Sequence, residues 1–161
     1  MVEVYIGIGA NLGNREENVR RAIELLKKTV KVLAVSSMYE TEPMYVESQP
    51  WFINCVVKAK TDLLPRELLE SLKRVELTLG RREGERYGPR VIDLDILLYG
   101  DQIVKDGDLV IPHSKMQERA FVLAPLSEIE PDLVHPALGK SASRLFKELH
   151  TEKKIKKTSD S

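Results

Sequence analysis

Several features that mark particular protein classes are scarce in this chain. Cys55 is the only cysteine, so no internal disulfide can form, and we expect a reducing, cytoplasmic setting. No apolar run is long enough to span a membrane, and the first residues lack a signal-peptide pattern. The 25 Lys and Arg residues equal the 25 Asp and Glu residues, so no overall positive field favours nucleic-acid binding. We therefore expect no nucleic-acid or membrane partner, and no obligate protein partner is evident.

Motifs common in metal and nucleotide sites are also missing. His113, His135 and His150 do not have the spacing of a metal site, and the chain has no P-loop motif. The glycine-rich stretch from Gly7 to Gly13 does not match the dinucleotide-binding fingerprint. Two interpretations of this stretch are open: a tight turn with a flexible tip, or a mobile loop that closes over a ligand.

The composition fits one globular domain. The chain has 161 residues, of which 42% are hydrophobic and 31% are charged, enough to form a substantial core. We assign a single domain to residues 1–150. Residues 151–161 are nearly all polar or charged, and we expect this tail to fray.

The hydrophobic periodicity predicts alternating strands and helices. The predicted strands are Val2 to Ile8, Val30 to Tyr39, Phe52 to Lys60 and Ile92 to Tyr99. One predicted helix follows a cap at Asn14 and ends near Lys28, and the other runs from Pro65 to Leu79. This order predicts a ferredoxin-like α+β sandwich, an antiparallel-rich sheet with helices on one face. After Gly100 we expect an added hairpin and C-terminal helices, with a break near Pro125.

The fourth predicted strand carries the strongest chemical signal. Asp93 and Asp95 leave one face of it, while the opposite face, which ends with Leu98, is wholly apolar. Two close carboxylates repel each other, and a divalent cation removes the repulsion; oxygen ligands favour magnesium. An edge strand with two solvent-facing acids is the simpler interpretation. Arg86 and Arg90 just upstream favour a site for phosphoryl transfer instead.

The loop before this strand is rich in arginine. Its arginines are Arg81, Arg82, Arg86 and Arg90. Glu83 and Glu85 dilute their charge, so a solvated, salt-bridged loop is one interpretation. The other is that the arginines are cationic partners of a triphosphate held at the two aspartates.

The third predicted strand places an aromatic ring and an amide, Phe52 and Asn54, on one face. A buried amide must find hydrogen-bond partners. Beside a ring, it can bind the polar edge of a stacked heterocycle; the alternative is a structural hydrogen bond to the backbone. His113, followed by Arg119 and Phe121, is a candidate phosphate contact.

The stretch Arg86-Tyr-Gly-Pro-Arg90-Val-Ile-Asp93-Leu-Asp95-Ile-Leu-Leu-Tyr-Gly100 resembles the signature of the 6-hydroxymethyl-7,8-dihydropterin pyrophosphokinase family of folate biosynthesis. The similarity runs from the first strand through Leu126, with a departure at Tyr87, where many members carry tryptophan. The resemblance implies a ferredoxin-like fold. It also implies transfer of pyrophosphate from ATP to the hydroxymethyl group of the pterin, giving AMP and the pterin diphosphate.

The resemblance also implies a role for particular residues. Asp93 and Asp95 would bind two magnesium ions, and Arg81 and Arg90 would close on the phosphates, so these four are the expected catalytic residues. The expected ATP contacts are Glu76, Arg86, Arg90, Ile96, His113 and Arg119. The expected pterin contacts are Thr41, Met44, Phe52, Asn54 and Phe121. No residue stands out as a general base, which is consistent with catalysis by positioning and charge.

Two other functions share some of these features. An RNA-binding module on the same fold would use its sheet and basic loop, but the balanced charge and the acids on the sheet argue against it. A nucleotidyl or phosphate-ester enzyme could share the metal pair. It would leave Phe52 and Asn54 without a role and would release pyrophosphate or phosphate instead of AMP.

Overall fold

An antiparallel sheet with helices on both faces organises the chain. The computed structural model describes residues 1–42, 50–80, 91–149 and 155–158. The strands are β1 (Val2–Ala10), β2 (Lys31–Val35), β3 (Tyr39–Thr41), β4 (Phe52–Thr61), β5 (Asp93–Tyr99), β6 (Val104–Asp106), β7 (Leu109–Ile111) and β8 (Ile155–Lys157). The helices are α1 (Arg15–Leu26), α2 (Pro65–Thr78), α3 (Ala120–Ile129) and α4 (Ala142–Glu148), with a 3-10 turn at Met116–Glu118.

The main sheet has the strand order β5-β1-β4-β3-β8, and β2 also pairs with β4. All of these pairings are antiparallel. β4 is 10 residues long, so it pairs with β1 along one edge and with both β2 and β3 along the other. β6 and β7 form a separate hairpin. From β1 to β5 the elements follow the predicted strand and helix order, except that β2 and β3 take the place of one predicted strand.

α1 and α2 begin where the sequence predicts helix starts. The Asn14 side chain accepts a hydrogen bond from the Glu17 N–H at 3.2 Å and caps α1. α2 begins at Pro65, which presets the helical φ, and the Glu67 carboxylate accepts from the Leu64 N–H at 2.8 Å. α2 has 14 residues, whereas a bilayer span takes about 20, and none of the described helices is long and apolar enough to cross a membrane.

Both faces of the sheet carry a hydrophobic core, which differs from the predicted one-sided arrangement. α1 and α2 cover one face, where residues such as Ile6, Ile53 and Leu72 form the main core. α3 and α4 cover part of the opposite face. The second core there comprises Tyr5, Val56, Leu97, Leu98, Met116, Val122, Leu126 and Ala142. Beyond this second core, the same face of the sheet carries polar side chains.

β5 contains an irregularity that simple alternation does not predict. Ile96 pairs with Ile6 of β1, and Leu98 pairs with the adjacent Tyr5. Leu97, between them, is therefore an extra residue in β5. Leu98 therefore joins Leu97 in the second core, although alternation predicted it on the opposite face. Asp93 and Asp95 precede the slip, so they keep the shared face that the sequence predicts.

Three further predictions are corrected by the structure. The predicted strand Val30 to Tyr39 is divided into β2 and β3, because the Ser37 N–H bonds to the Glu128 carboxylate of α3 instead of continuing a ladder. The helical break lies at Arg119, whose backbone is extended (φ −119, ψ 107), while α3 continues through the buried Pro125. In the tail that was expected to fray, Ile155–Lys157 forms β8.

Candidate active site

The candidate site occupies the polar end of the second face. In β1, Gly9 pairs with Asn54 of β4 on one side and with Asp93 of β5 on the other. Paired residues on neighbouring strands share a face, so these three residues form a row across the sheet. In the next row, Gly7 lies beside Asp95. Two strand spacings separate the Asn54 end of the row from the Asp93 end, which is roughly 10 Å.

The glycines of β1 make room for this arrangement. A Cβ atom added at Gly9 would lie 2.5 Å from Asn54 Oδ1 and 3.6 Å from Phe52 Cδ1, so any side chain at this position would force the amide to move. A Cβ at Gly7 would meet the Leu97 side chain at 3.4 Å. Both glycines lie inside a strand, and only Gly13, with φ +70, lies in the turn that follows. Gly7 lies in the strand as predicted, whereas both loop interpretations were wrong for Gly9, because β1 continues to Ala10.

The pterin-binding residues predicted on β3 and β4 are neighbours. Asn54 is 6% exposed, and its Nδ2 donates a hydrogen bond to Thr41 Oγ1 at 2.8 Å. Thr41 is itself buried and pairs across the strands with Phe52. The amide partner is thus a side chain and not the backbone that the alternative interpretation required. A ring, an amide and a hydroxyl are brought together on one face.

His113 lies beside the carboxylate end of the row. Its N–H donates to the Leu97 carbonyl at 3.0 Å, and its Nε2 is 3.9 Å from Asp95 Oδ2. Burial, reinforced by the positive charge of Arg119, lowers the pKa of His113 to about 4. Its Nδ1 accepts a hydrogen bond from the Lys115 N–H at 3.2 Å. The imidazole is therefore neutral near pH 7 and carries its proton on Nε2, the nitrogen that faces the carboxylate.

Arg119 and Phe121 lie together where α3 begins. The guanidinium carbon of Arg119 is 5.4 Å from the centre of the Phe121 ring, a cation–π distance. Phe121 also packs against the second core. Because the extended backbone at Arg119 separates the 3-10 turn from α3, both side chains are held at the helix start.

Glu76 reaches the site from the other side of the sheet. It is 8% exposed, and its Oε2 accepts a hydrogen bond from the Leu94 N–H at 2.8 Å. Leu94 lies between the two aspartates, so this bond fixes the backbone that carries them. Ile96, a predicted ATP contact, is 5% exposed and belongs to the main core.

This contact leads to a testable prediction for Glu76. Glu76→Leu should lower kcat about tenfold while the KM for ATP stays nearly constant, because a buried hydrogen bond worth roughly 1–2 kcal/mol is lost. Glu76→Gln keeps an acceptor oxygen and should retain most of the activity. Steady-state kinetics on both variants test this. A rise in ATP KM of the same size in both would instead indicate a direct contact between the carboxylate and ATP.

Asp93 and Asp95 have the chemistry of a magnesium site. Within the ranges that the structure describes, no group of three or more His, Cys, Asp or Glu residues could hold a metal by itself. Magnesium, however, is commonly bound by one or two carboxylates together with substrate phosphates and water. The pair on β5 fits that requirement, with the Asp95 side chain 42% exposed.

Two residues that the sequence did not single out hold the strand ends at the site. Arg15 donates from Nη1 to the Trp51 carbonyl at 2.8 Å and from Nη2 to Glu40 Oε2 at 2.9 Å. Asn11, 1% exposed, donates from Nδ2 to the Pro50 carbonyl at 3.1 Å. In sequence, an arginine at a helix start resembles any surface residue. Only the fold brings it to the ends of β3 and β4.

Several of the predicted site residues lie outside the described residues. These are Met44, Arg81, Arg86 and Arg90, together with Arg82 and Tyr87. Of the four predicted catalytic residues, the structure thus places Asp93 and Asp95.

The antiparallel sheet, the carboxylate pair and the nearby aromatic and amide cluster are typical of an α+β enzyme that handles a phosphorylated substrate. The chain belongs to the 7,8-dihydro-6-hydroxymethylpterin-pyrophosphokinase (HPPK) family, whose model matches residues 5–131. This finding confirms the family that the sequence predicts.

Individual relatives support the same assignment. The chain is 44% identical over 140 residues to the 2-amino-4-hydroxy-6-hydroxymethyldihydropteridine pyrophosphokinase of Aquifex aeolicus, covering 87% of this chain and 88% of the relative. It is 47% identical over 147 residues to the folic acid synthesis protein fol1 of Pneumocystis carinii, covering 91% of this chain. It spans only 20% of that longer relative.

A solved structure supports the fold. The HPPK-DHPS crystal structure of Plasmodium falciparum with SDX-DHP matches 92% of this chain and 43% of its own, with a TM-score of 0.73 and 17% sequence identity. This likeness confirms the predicted ferredoxin-like α+β fold.

Proposed function

We propose that this chain transfers a pyrophosphoryl group from ATP to the hydroxymethyl group of 6-hydroxymethyl-7,8-dihydropterin, releasing AMP, as a step in folate synthesis. The supporting observation is the row from Asn54 through Gly9 to Asp93 across three neighbouring strands. A heterocycle at the amide end and a triphosphate at the carboxylate end would lie roughly 10 Å apart or less, close enough for the alcohol to meet a phosphorus.

The amide end is proposed as the pterin site. Phe52 supplies a ring on which the flat pterin stacks, and Phe121 would cover its other side. The Asn54 amide, held by Thr41, would bind the polar edge of the heterocycle. Met44 is proposed as a further contact in this site.

The carboxylate end is proposed as the triphosphate site. Asp93 and Asp95 would hold magnesium, for which two ions are expected, and bound magnesium would neutralise phosphate charge and help to activate the alcohol. The proposed ATP contacts are Arg86, Arg90, Ile96, His113 and Arg119. Glu76, expected from the family resemblance to contact ATP, is proposed instead to act on this end by holding the backbone between the aspartates. Arg81 and Arg90 would close on the phosphates.

The chemistry proposed for this site is a single displacement. The alcohol oxygen attacks the β-phosphorus, the bond from that phosphorus to the oxygen bridging it to the α-phosphorus breaks, and its electron pair leaves with AMP. The hydroxyl proton passes to solvent. The chain's residues contribute by aligning the two substrates and offsetting charge, because no side chain is assigned as a base. A cytoplasmic location stays a prediction.

One assay tests the proposal. The purified chain is incubated with ATP, magnesium and the pterin alcohol, and the products are separated and quantified. AMP and pterin diphosphate should appear in equal amounts, and only when all three components are present. Release of ADP, or of pyrophosphate with an adenylated product, would contradict the proposed reaction. Loss of AMP formation on chelation, with recovery on added magnesium, would support the assigned metal.

A further inference from the structure

The C-terminal strand β8 adds to the outer edge of β3. Its register pairs Ile155 with Thr41, Lys156 with Glu40 and Lys157 with Tyr39. The Thr158 N–H extends the pairing by donating to the Met38 carbonyl at 2.9 Å. β3 thus has a strand on each side, since β4 pairs with its inner edge.

β3 is too short to be well held by one neighbour. It has 3 residues and makes only three residue pairs with β4. Short edge strands open readily by local unfolding, because few hydrogen bonds oppose the gain in backbone entropy. A second partner strand reduces this local opening.

A charge network strengthens the same contact. The Glu40 carboxylate lies 2.9 Å from Arg15 Nη2 and 3.4 Å from Lys156 Nζ, and its side chain is 22% exposed. Arg15 belongs to α1 and Lys156 to β8, so Glu40 is held from both sides of β3. The Lys156 side chain is 70% exposed, so its attraction to the partly buried carboxylate is modest and is weakened by salt.

β3 carries a residue on which the proposed pterin site depends. Thr41 pairs with Ile155 of β8 and accepts the hydrogen bond from Asn54 Nδ2. If β3 shifts or opens, Asn54 loses the partner that orients its buried amide. The aspartates lie on β5, at the opposite edge of the sheet, with β1 and β4 in between.

We propose that β8 is a positioning element for pterin binding: by clamping β3 it orients Thr41 and Asn54, and it leaves the ATP end unaffected. This inference rests on the proposed pterin site. It assigns a role in substrate binding to a segment that composition alone marks as a polar tail.

Two truncations test the proposal. A chain that ends at Lys154 lacks β8, and a matched control that ends at Thr158 keeps it. Steady-state kinetics give KM for each substrate, and hydrogen exchange reports on the Thr41 amide. The chain ending at Lys154 should show a pterin KM raised about tenfold, an ATP KM changed less than about twofold, and faster exchange at Thr41. The control should match the full chain. Equal pterin KM values in the two truncations, or equal increases in both KM values for the shorter chain, would overturn the proposal.

A charge reversal in the full-length chain covers the case in which the shorter chain does not fold. Lys156→Glu places a negative charge beside Glu40 and should raise the pterin KM about threefold at low salt, with a smaller increase at high salt. Lys105→Glu, on the exposed strand β6, is the matched control and should change nothing. Equal pterin KM values in these two variants would overturn the proposal.

Phe52→Ala separates this inference from the proposed site. If Phe52→Ala leaves the pterin KM unchanged, the pterin site itself is wrong, and the inference falls with it. If Phe52→Ala raises the pterin KM while loss of β8 does not, only the role of β8 is refuted.

Discussion

Asp95→Ala is expected to lower kcat at least about 10³-fold, because binding of a catalytic metal stabilises the transition state by several kcal/mol. Asp95 shares its face with Asp93 and lies beside Gly7, in the row next to the one that leads to Asn54. One remaining carboxylate would bind magnesium weakly and out of position. The Asp95 side chain is 42% exposed, so its removal should cost the fold little.

Kinetics and thermal unfolding together test this prediction. Asp101→Ala is the matched control, because it removes the same side chain from an exposed turn just after β5. The control should keep wild-type turnover, and both variants should unfold within a few degrees of the wild type. Near-normal turnover of the Asp95 variant in saturating magnesium would refute the assigned metal site. A collapse in thermal stability would indicate a structural role instead.

Gly9→Ala is expected to raise the KM for the pterin roughly 30-fold or more, the equivalent of about 2 kcal/mol, while the KM for ATP changes little. The added Cβ would lie 2.5 Å from Asn54 Oδ1, closer than van der Waals contact allows. β1 is paired on both sides and cannot move away. The amide must therefore turn, and in turning it loses the 2.8 Å hydrogen bond to Thr41.

Gly7→Ala is the matched control for this substitution. It adds the same methyl group to the same strand, but the nearest atom belongs to the flexible Leu97 side chain at 3.4 Å. A pterin KM within about threefold of wild type is expected for this variant, because an ordinary packing contact replaces the clash. Similar pterin KM values for the Gly9 and Gly7 variants would show that the Asn54 amide does not bind the substrate. Direct pterin binding to the two variants in the absence of ATP checks the result.

Local patterns were sufficient to predict much of this protein. The cap at Asn14 and the proline start of α2 depend on a few neighbouring residues, and both are confirmed. The shared face of Asp93 and Asp95 follows from strand alternation over three residues. The family signature lies in the same continuous stretch. Such features need no knowledge of what packs against them.

Side-chain alternation along β5 gave a wrong prediction at the point where pairing with β1 changes the register. Leu98 was expected opposite the aspartates, but the slip in the β1–β5 register moved it to the second core. A bulge is a property of two strands, and the sequence of one strand does not reveal it. The division of the second predicted strand likewise depends on a residue that is distant in sequence. Glu128 lies 91 residues from Ser37 and accepts the competing hydrogen bond.

The sequence by itself determined most of the element order from β1 to β5, the family and the chemical types present at the site: carboxylates, an amide, aromatic rings and a histidine. Only the tertiary structure decided that Gly9 joins Asn54 to Asp93 in one row, that Glu76 holds the backbone between the aspartates, and that β8 closes the edge of β3. The physical reason is the separation along the chain of the residues that interact. Capping and alternation act between neighbours in the chain, whereas a row across a sheet depends on the register of strands that are far apart in sequence.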